Sequence, residues 1–399
     1  MLRLVAPAGT RLRPAQVWRA SLAALPANGR LPDPVTEVAN RLGAKHALGA
    51  GSGRAALYVV FKALHALRPD RNVVAIPGYT CFSVPAAVVR AGLEVYPVEV
   101  DPLTLDFDRE ALGRMAGNRL LCIVATSLFG FMNDRAMLEG VARPAGAFVV
   151  DDAAQAFGST LHGCPAGMLG DAGVFSMGRG KPLFGMGGGL VVTQSDEIAD
   201  AVRNALQTCS EVSAAHSLRR WLELAAYFVM FHPNFYRMAD ALPFLQLGVT
   251  VYDPGFPVEK LGPVARKLLR EMLAIIEDLN AGRRQKANAI MEEIGETPQF
   301  SFVRPHEGCQ PVFTRLPVLA ADEALRDRAV TRLRGRGIGA SPMYPSAICD
   351  IPGLKEHMAS DAFHCPRAEQ VAKRLFALPT HSFLRDKDIR EIAAVLHSC

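Results

Sequence analysis

The stretch Ala147–Gly158, AFVVDDAAQAFG, joins a short apolar run to two consecutive acids, Asp151 and Asp152. Short apolar runs that end abruptly at polar residues are typical of strands buried within a sheet. A carboxylate at the end of a buried strand is costly to desolvate unless a cation or hydrogen bonds compensate it. The stretch therefore predicts a buried strand with a polar site at its end.

The apolar run at 147–150 is one of a series along the first half of the chain. Similar runs, rich in β-branched residues, occur at 73–76, 94–98, 121–125 and 189–193. Helical patterns alternate with them, for example at 53–66 and 83–91. This alternation is typical of a mostly parallel sheet covered by helices on both faces. The sequence therefore predicts an α/β fold.

A change of pattern in the second half of the chain predicts a domain boundary near residue 285. The stretch 261–294 has apolar residues three and four apart among charged ones, which predicts one long helix leaving the large domain. The remaining residues predict a compact α+β unit. We therefore expect a large domain with an N-terminal arm over 1–285 and a small C-terminal domain over 286–399.

The composition argues against several classes of protein. The chain of 399 residues has a net charge of +5 from 44 basic and 39 acidic residues, without a long basic run, so a nucleic-acid surface is not expected. Its eight cysteines form no CxxC pair and have no histidine nearby at zinc-ligand spacing, so no metal site is expected. Free thiols and the lack of a secretory pattern in residues 1–20 favour a cytoplasmic protein.

An unusually apolar insert spans about 209–260. Its central run at 221–231, WLELAAYFVMF, is about half the ~20 residues that a membrane-spanning helix needs, and Glu223 interrupts it. Local packing of a buried or interfacial helix is the favoured interpretation. A hydrophobic acceptor site, or membrane contact through residues 221–236, is the alternative.

The glycine-rich loop FSMGRGKPLFGMGGG, at 175–189, contains a single lysine, Lys181. An ε-amine becomes a nucleophile when its surroundings lower its pKa. Pyridoxal phosphate requires such an amine for its aldehyde, a carboxylate for its ring nitrogen, and N–H groups at a helix start for its phosphate. Asp151 and Asp152 are the candidates for the second requirement. The helix-opening Ser52-Gly53-Arg54, together with the Ser176 hydroxyl, meets the third.

Each of these features has a simpler explanation when it is taken alone. Ser52 and Gly53 fit an ordinary helix cap. Asp151 and Asp152 fit a solvated turn, and a lysine in a glycine loop is usually a surface residue. Their conjunction and their order along the chain favour one common site.

The combination and order of these segments resemble those of the DegT/StrS-type sugar aminotransferases, which are fold-type I pyridoxal phosphate enzymes. The similar segments, each followed by the family pattern, are SGRAAL at 52–57 (SGTAAL), IPGYTCFSV at 76–84 (VPSFTFVAT), DDAAQAFG at 151–158 (EDAAQAHG), GDAGVFSMGRGKPL at 170–183 (GDAGCFSFYPTKNL) and HCPRAEQVAKRLFALPTHSFL at 364–384 (CPVAERLSREVLSLPLHP). The resemblance covers most of 40–200 and 260–399. It implies a large domain with a mostly parallel sheet between helices and a smaller α+β C-terminal domain.

The resemblance also implies roles for individual residues. Lys181 resembles the lysine that forms a Schiff base with the cofactor, and Asp152 resembles the aspartate that pairs with the ring nitrogen. Gln155 is similar to the residue that contacts the cofactor near its ring hydroxyl. The residues that would hold the phosphate are Gly53, Arg54 and Ser176. The family's ring-stacking position falls on Cys81, so Tyr79 or Phe82 is expected to cover the ring.

The implied reaction moves an amino group from a donor, commonly glutamate, to a keto group on a nucleotide-linked sugar, as in polysaccharide biosynthesis. Most members of the family are homodimers with shared active sites, and a homodimer is expected here. The apolar insert keeps open a non-nucleotide ketone or aldehyde, such as a lipid-linked intermediate, as the acceptor. Departures from the family pattern at Arg54, Pro182 and Gly187 keep open a non-catalytic cofactor-binding sensor or scaffold.

Overall fold

The structure is a computed structural model that describes residues 3–22, 32–115, 117–242, 250–295, 297–360 and 364–399. Its strands are β1 His46–Ala50, β2 Val73–Pro77, β3 Glu94–Val98, β4 Leu120–Thr126, β5 Phe148–Asp152, β6 Thr160–Leu161, β7 Cys164–Pro165, β8 Ala172–Ser176, β9 Gly189–Thr193, β10 Phe300–Phe302, β11 Cys309–Gln310, β12 Leu316–Ala320, β13 Ser341–Pro342 and β14 Leu375–Leu378. The helices are α1 Pro14–Leu22, α2 Pro34–Leu42, α3 Gly53–Leu67, α4 Ser83–Arg90, α5 Arg109–Gly113, α6 Arg135–Ala145, α7 Asp196–Gln207, α8 Ala214–Met230, α9 Pro233–Asp240, α10 Pro263–Leu273, α11 Ile276–Ile294, α12 Glu323–Gly335, α13 Pro366–Arg374 and α14 Asp386–His397.

A seven-stranded sheet in the order β1-β9-β8-β5-β4-β2-β3 forms the centre of the first half of the chain. Strands β3, β2, β4, β5 and β8 are parallel to their neighbours in this series, whereas β9 and β1 pair antiparallel. Two separate apolar clusters cover the sheet, and successive residues such as Val149 and Val150 belong to different clusters because strand side chains alternate between faces. The predicted α/β class with a mostly parallel sheet is confirmed.

A second, antiparallel sheet in the order β10-β12-β14-β13 lies in the C-terminal part of the chain. The N-terminal arm reaches this part, because Val5 pairs with Ile338 and the Arg3 guanidinium lies 2.9 Å from the Asp388 carboxylate. The division into domains at residue 285 stays a prediction, and the predicted boundary falls inside α11.

The prediction of one helix over 261–294 is wrong, because α10 ends at Leu273 and α11 begins at Ile276. The backbone of Ile275, with φ −131° and ψ −1°, interrupts the helix. No glycine or proline marks this break in the sequence. The first of the two helices is strongly amphipathic and packs against α2, and the second is the helix that leads towards the C-terminal sheet.

The apolar insert forms α8 and α9, and only one side of this pair packs inward. Tyr227 stacks on Phe184 and on Phe231, with ring centroids 4.6 and 4.8 Å apart. The large apolar side chains that the pair exposes are Leu218, Leu222, Phe228, Val229, Met230, Phe235 and Met238. None of the described helices is both long and apolar enough to cross a membrane, and residues 243–249 of the insert lie outside the described part of the chain.

Candidate active site

The loops that follow several strands of the large sheet enclose a cavity of about 160 Å³. Parallel strands end at the same edge of a sheet, so residues far apart in sequence meet there. The start of α3 joins them. Six of the predicted site residues line this cavity: Gly53, Arg54, Asp152, Gln155, Ser176 and Lys181.

The start of α3 and the end of β8 are in direct contact. The Ser52 hydroxyl caps the helix by accepting a hydrogen bond from the Ala55 N–H at 3.1 Å. A methyl group added at Gly53 would lie 2.7 Å from Ser176 Cβ and 2.8 Å from its hydroxyl oxygen, so only glycine fits this contact. The first N–H groups of a helix lack partners within the helix and attract anions. A helix start beside a hydroxyl is therefore a suitable phosphate site.

Arg54 brings a positive charge to the same helix start. Its guanidinium lies 3.7 Å from the Asp253 carboxylate and packs over the Phe256 ring, 4.9 Å from the centroid. The threonine that the family pattern has at this position is neutral. The cavity wall is therefore more cationic here than the family pattern implies, although Asp253 offsets part of the charge.

Asp152 and Lys181 both line the cavity, and their charges interact. Asp152 is only 8% exposed and accepts a hydrogen bond from the Ala154 N–H at 3.1 Å. Burial raises the pKa of its carboxyl group, and the nearby Lys181 opposes this effect. Burial lowers the pKa of the Lys181 amine, Cys81 and Asp152 oppose this effect, and Arg315 adds to it. The site therefore combines an amine that loses its proton readily with a carboxylate that gains stability from a cationic partner.

Asp151 serves the fold and not the cavity. It is fully buried, and its carboxylate accepts hydrogen bonds from the N–H groups of Gly167 and Leu169, at 2.6 and 3.3 Å. Burial raises its pKa to about 7. The two neighbouring acids are thus both buried, which excludes the solvated turn, but they point to different surroundings because side chains alternate along β5.

Gln155 connects the cavity to the C-terminal part of the chain. Its side-chain oxygen accepts hydrogen bonds from the Thr314 hydroxyl at 3.3 Å and from the Phe129 N–H at 3.4 Å. Its side-chain nitrogen donates to the Tyr344 hydroxyl at 3.1 Å. These hydrogen bonds fix the orientation of the Gln155 amide, so its remaining hydrogen-bonding positions point in a defined direction.

That Tyr79 or Phe82 covers the cofactor ring stays a prediction; neither residue is part of the cavity lining, whereas Cys81 is. The Tyr79 hydroxyl accepts a hydrogen bond from the Tyr344 N–H at 3.2 Å, and the two rings lie 5.5 Å apart. The Phe82 ring stacks against Tyr344 at 6.4 Å. Both rings belong to the apolar cluster that also contains residues of the C-terminal sheet, such as Leu316 and Phe376. Their contacts with Tyr344, which is distant in sequence, could not be read from the local motif.

The cavity wall contains two buried hydroxyls that the sequence analysis did not predict. Thr80 and Thr126 are 0% and 3% exposed, and neither side-chain oxygen has a hydrogen-bond partner among the described residues. Buried hydroxyls without partners are costly, so they indicate a polar ligand in the cavity. Thr126 ends β4, and the rule that sites lie at strand ends was sufficient to find it.

These observations together fit pyridoxal phosphate. The cavity offers a helix start for a phosphate, a buried carboxylate in need of a cation, an amine with a lowered pKa, and two hydroxyls without partners. This combination on this sheet defines a fold-type I pyridoxal phosphate enzyme.

A family model described as the DegT/DnrJ/EryC1/StrS aminotransferase family matches residues 35–397. The chain belongs to this family and is a pyridoxal phosphate-dependent aminotransferase. The family, the fold class, the cofactor and the enzyme class predicted from the sequence are confirmed.

Individual relatives agree with this assignment. The chain is 26% identical over 363 residues, 90% of this chain and 86% of the relative, to UDP-N-acetyl-3-dehydro-alpha-D-glucosamine 3-aminotransferase of Acidithiobacillus ferrooxidans. It is 32% identical over 362 residues, 89% of this chain and 86% of the relative, to spore coat polysaccharide biosynthesis protein SpsC of Bacillus subtilis. The solved structure of Helicobacter pylori PseC, an aminotransferase involved in pseudoaminic acid biosynthesis, matches with a TM-score of 0.78 at 17% identity, covering 99% of each chain. The structural match shows the common fold.

Proposed function

We propose that this aminotransferase transfers an amino group from glutamate to a keto group on a nucleotide-linked sugar. The observation that carries the proposal is the cavity that joins Lys181, Asp152 and the start of α3. The relative from Acidithiobacillus ferrooxidans is named for a UDP-linked 3-dehydro sugar, which supports this class of acceptor. The relative from Bacillus subtilis is named for polysaccharide biosynthesis, which supports the use of the product in such a polymer.

The predicted site residues of the cavity have places in holding the cofactor. The N–H groups of Gly53 and Arg54 and the hydroxyl of Ser176 would bind the phosphate, and Asp152 would pair with the ring nitrogen. Gln155 would contact the ring substituents. When bound, pyridoxal phosphate withdraws electrons from the carbon that carries the amino group.

The residues of the chain supply the remaining steps. Lys181 Nζ, whose pKa is lowered by desolvation, would accept the proton from the α-carbon of the donor. In the second half of the reaction, the same atom delivers a proton to the former keto carbon of the acceptor. Asp152 would stabilise positive charge on the ring nitrogen, because a cation beside a buried carboxylate favours the ionised form of that carboxylate.

Replacing Gly53 with alanine is expected to weaken cofactor binding by at least about 10-fold, since the added methyl group would press on Ser176 at 2.7 Å. The dissociation constant of pyridoxal phosphate, measured by absorbance titration, tests this. Gly140→Ala in α6 is the matched control, because no atom lies within 4 Å of its added methyl group. Wild-type affinity in Gly53→Ala would exclude the start of α3 as the phosphate site.

Replacing Thr80 with valine is expected to leave the apo protein as stable as the wild type or more stable, since the buried hydroxyl has no partner among the described residues. The same substitution is expected to weaken binding of the cofactor or of the acceptor by about 5- to 10-fold, the effect of one lost hydrogen bond. Melting temperatures with and without ligand check both parts. If Thr80→Val lowers the melting temperature of the apo protein as much as that of the holoenzyme, Thr80 stabilises the fold and does not bind the ligand.

The acceptor is tested by incubating the holoenzyme with glutamate and a panel of ketones while 2-oxoglutarate formation is measured. The panel pairs each nucleotide-linked keto-sugar with the same sugar lacking the nucleotide, and adds hydrophobic ketones. We expect turnover only with nucleotide-linked members. A second candidate, a hydrophobic ketone or aldehyde, is favoured by the exposed apolar side chains of α8 and α9. Turnover confined to the hydrophobic ketones would establish that candidate and reject the first.

We further propose that the enzyme is a cytoplasmic homodimer. The exposed apolar side chains on α8 and α9 would be covered by a second copy of the chain, and all eight cysteines are free thiols. Light scattering coupled to size-exclusion chromatography tests the dimer. A monomeric holoenzyme at micromolar concentration would contradict it.

A further inference from the structure

A second cavity, with a volume of about 390 Å³, lies apart from the active site. We call it the arm cavity, because residues 9–11 of the N-terminal arm line it together with the first half of α11 and the loop before α14. None of its lining residues also lines the cavity around Lys181. Binding sites for small molecules typically have volumes of about 300 to 1,000 Å³. The arm cavity is therefore large enough for a small-molecule ligand.

The charged residues that line the arm cavity are mostly basic. They are Arg11, Arg283, Lys286 and Arg385, against Asp278 and Asp386. Lys286 Nζ lies 2.7 Å from the Asp386 carboxylate. Arg385 Nε lies 3.3 Å from the carboxylate of Asp388. Two of the four cations thus have partners, and the excess positive charge lies on the other two arginines.

Arg283 is a buried arginine whose hydrogen-bond acceptors are neutral. Its side chain is only 4% exposed, and its Nη1 and Nη2 donate to the Asn280 side-chain oxygen at 2.8 Å and to the Thr10 hydroxyl at 3.2 Å. These bonds use two of the five N–H groups of a guanidinium. Among the residues that the structure describes, no carboxylate lies within ion-pair distance of it. Burial lowers its pKa to about 10, so an anion in the cavity would relieve a real cost.

Arg11 brings a second guanidinium to the arm cavity. Its central carbon lies 5.0 Å from the centroid of the Phe383 ring, a cation–π contact that supplies no acceptor for its N–H groups. The described part of the chain places no carboxylate within ion-pair distance of Arg11 either. Guanidiniums bind phosphate through pairs of parallel hydrogen bonds. Two such groups at one cavity therefore favour a phosphate as the ligand.

The other polar groups of the arm cavity suit hydroxyl groups. The Asp278 carboxylate lies in the first turn of α11, and Gln285 and Ser382 add an amide and a hydroxyl to the lining. An ionised carboxylate only accepts hydrogen bonds, so it repels a bare anion but binds the hydroxyls of a sugar. The lining therefore fits a ligand that carries a phosphate and sugar hydroxyls together.

We propose that the arm cavity binds a phosphorylated sugar, either a nucleotide or a sugar phosphate. Arg11 and Arg283 donate hydrogen bonds to the phosphate, and the sugar hydroxyls donate to Asp278. This site is additional to the one that carries out amino transfer, because none of these three residues lines the cofactor cavity.

The test is protection of Arg11 in the holoenzyme from phenylglyoxal, an arginine-specific reagent, with the labelled residues located by mass spectrometry. The probes are UDP and glucose 1-phosphate, compared with uridine, glucose and inorganic phosphate. At about ten times the Kd of UDP or of glucose 1-phosphate, we expect Arg11 to react about 10-fold more slowly. Arg13 is the internal control, because it is an exposed arginine of the same arm outside the cavity lining, and its rate is expected to stay unchanged.

Two variants test the two halves of the ligand, with Kd taken from the concentration dependence of Arg11 protection. Arg283→Gln is expected to raise the Kd of glucose 1-phosphate by about 10-fold or more, the effect of a lost hydrogen bond to a charged group. Asp278→Ala is expected to lower the preference for glucose 1-phosphate over inorganic phosphate by about 5- to 10-fold. Glu277→Ala removes the neighbouring acid, which is exposed and outside the lining, and is expected to leave that preference unchanged.

Equal labelling rates of Arg11 with and without UDP and glucose 1-phosphate would overturn the inference. Protection by inorganic phosphate at concentrations as low as those of the phosphorylated sugars would also contradict it, because the cavity would then recognise only an anion. The labelling reports on Arg11 and requires no amino transfer, so its result is independent of which acceptor the enzyme uses.

Discussion

Replacing Lys181 with alanine is expected to lower kcat by about 10⁴-fold, the upper range for loss of a proton-transferring group. The substitution removes both the nucleophile for the cofactor aldehyde and the atom that carries the proton between the two carbons. Burial already favours the neutral amine at this position, which is the form that both roles require. Steady-state kinetics of amino transfer measure the proton-transfer role. The absorbance spectrum of the reconstituted protein measures the bond to the cofactor aldehyde.

Two variants serve as controls for this experiment. Lys181→Arg keeps the positive charge but removes the nucleophile, and it is expected to be as inactive as Lys181→Ala. Lys62→Ala removes an exposed lysine of α3 and is expected to retain wild-type turnover. An active Lys181→Arg would contradict the nucleophilic role and reduce Lys181 to a source of charge.

Replacing Asp152 with asparagine is expected to lower kcat by about 10²- to 10³-fold, with most of the cofactor retained. The asparagine oxygen can keep the hydrogen bond from Ala154, so the local fold should persist. The negative charge that stabilises the protonated ring nitrogen is lost, however, and the withdrawal of electrons weakens. Cofactor content and kcat, measured on the same preparation, test this prediction.

Asp151 provides the matched control, because it is the same residue type one position earlier and faces Gly167 and Leu169 instead of the cavity. Its pKa of about 7 means that the neutral form is already well populated near neutral pH. Asp151→Asn is therefore expected to keep kcat within a few-fold of wild type. Equal losses of kcat in Asp152→Asn and Asp151→Asn would show that the effect comes from a disturbance of β5 and not from the charge of Asp152.

The central sheet was predictable because its strands are continuous apolar runs. Five of its seven strands, including β5, coincide with such runs. The two that were missed, β1 (HALGA) and β8 (AGVFS), contain glycine and small residues, which weaken the strand signal. The break at Ile275 left no signal because no glycine or proline accompanies it.

The meeting of Asp152, Ser176 and Lys181 at one cavity was also predictable, since they lie at or just after the ends of strands that end at the same edge. The contacts of Tyr79 and Phe82 were not predictable, because they depend on Tyr344, more than 250 positions away.

The most direct test of the central claim is to reduce the holoenzyme with borohydride, digest it and locate the attached cofactor by mass spectrometry. Reduction makes the bond between cofactor and lysine permanent, so the label reports which amine forms it. The predicted result is a single labelled peptide with the modification on Lys181. A label on another lysine, with Lys181 unmodified, would contradict the assignment of this cavity as the active site.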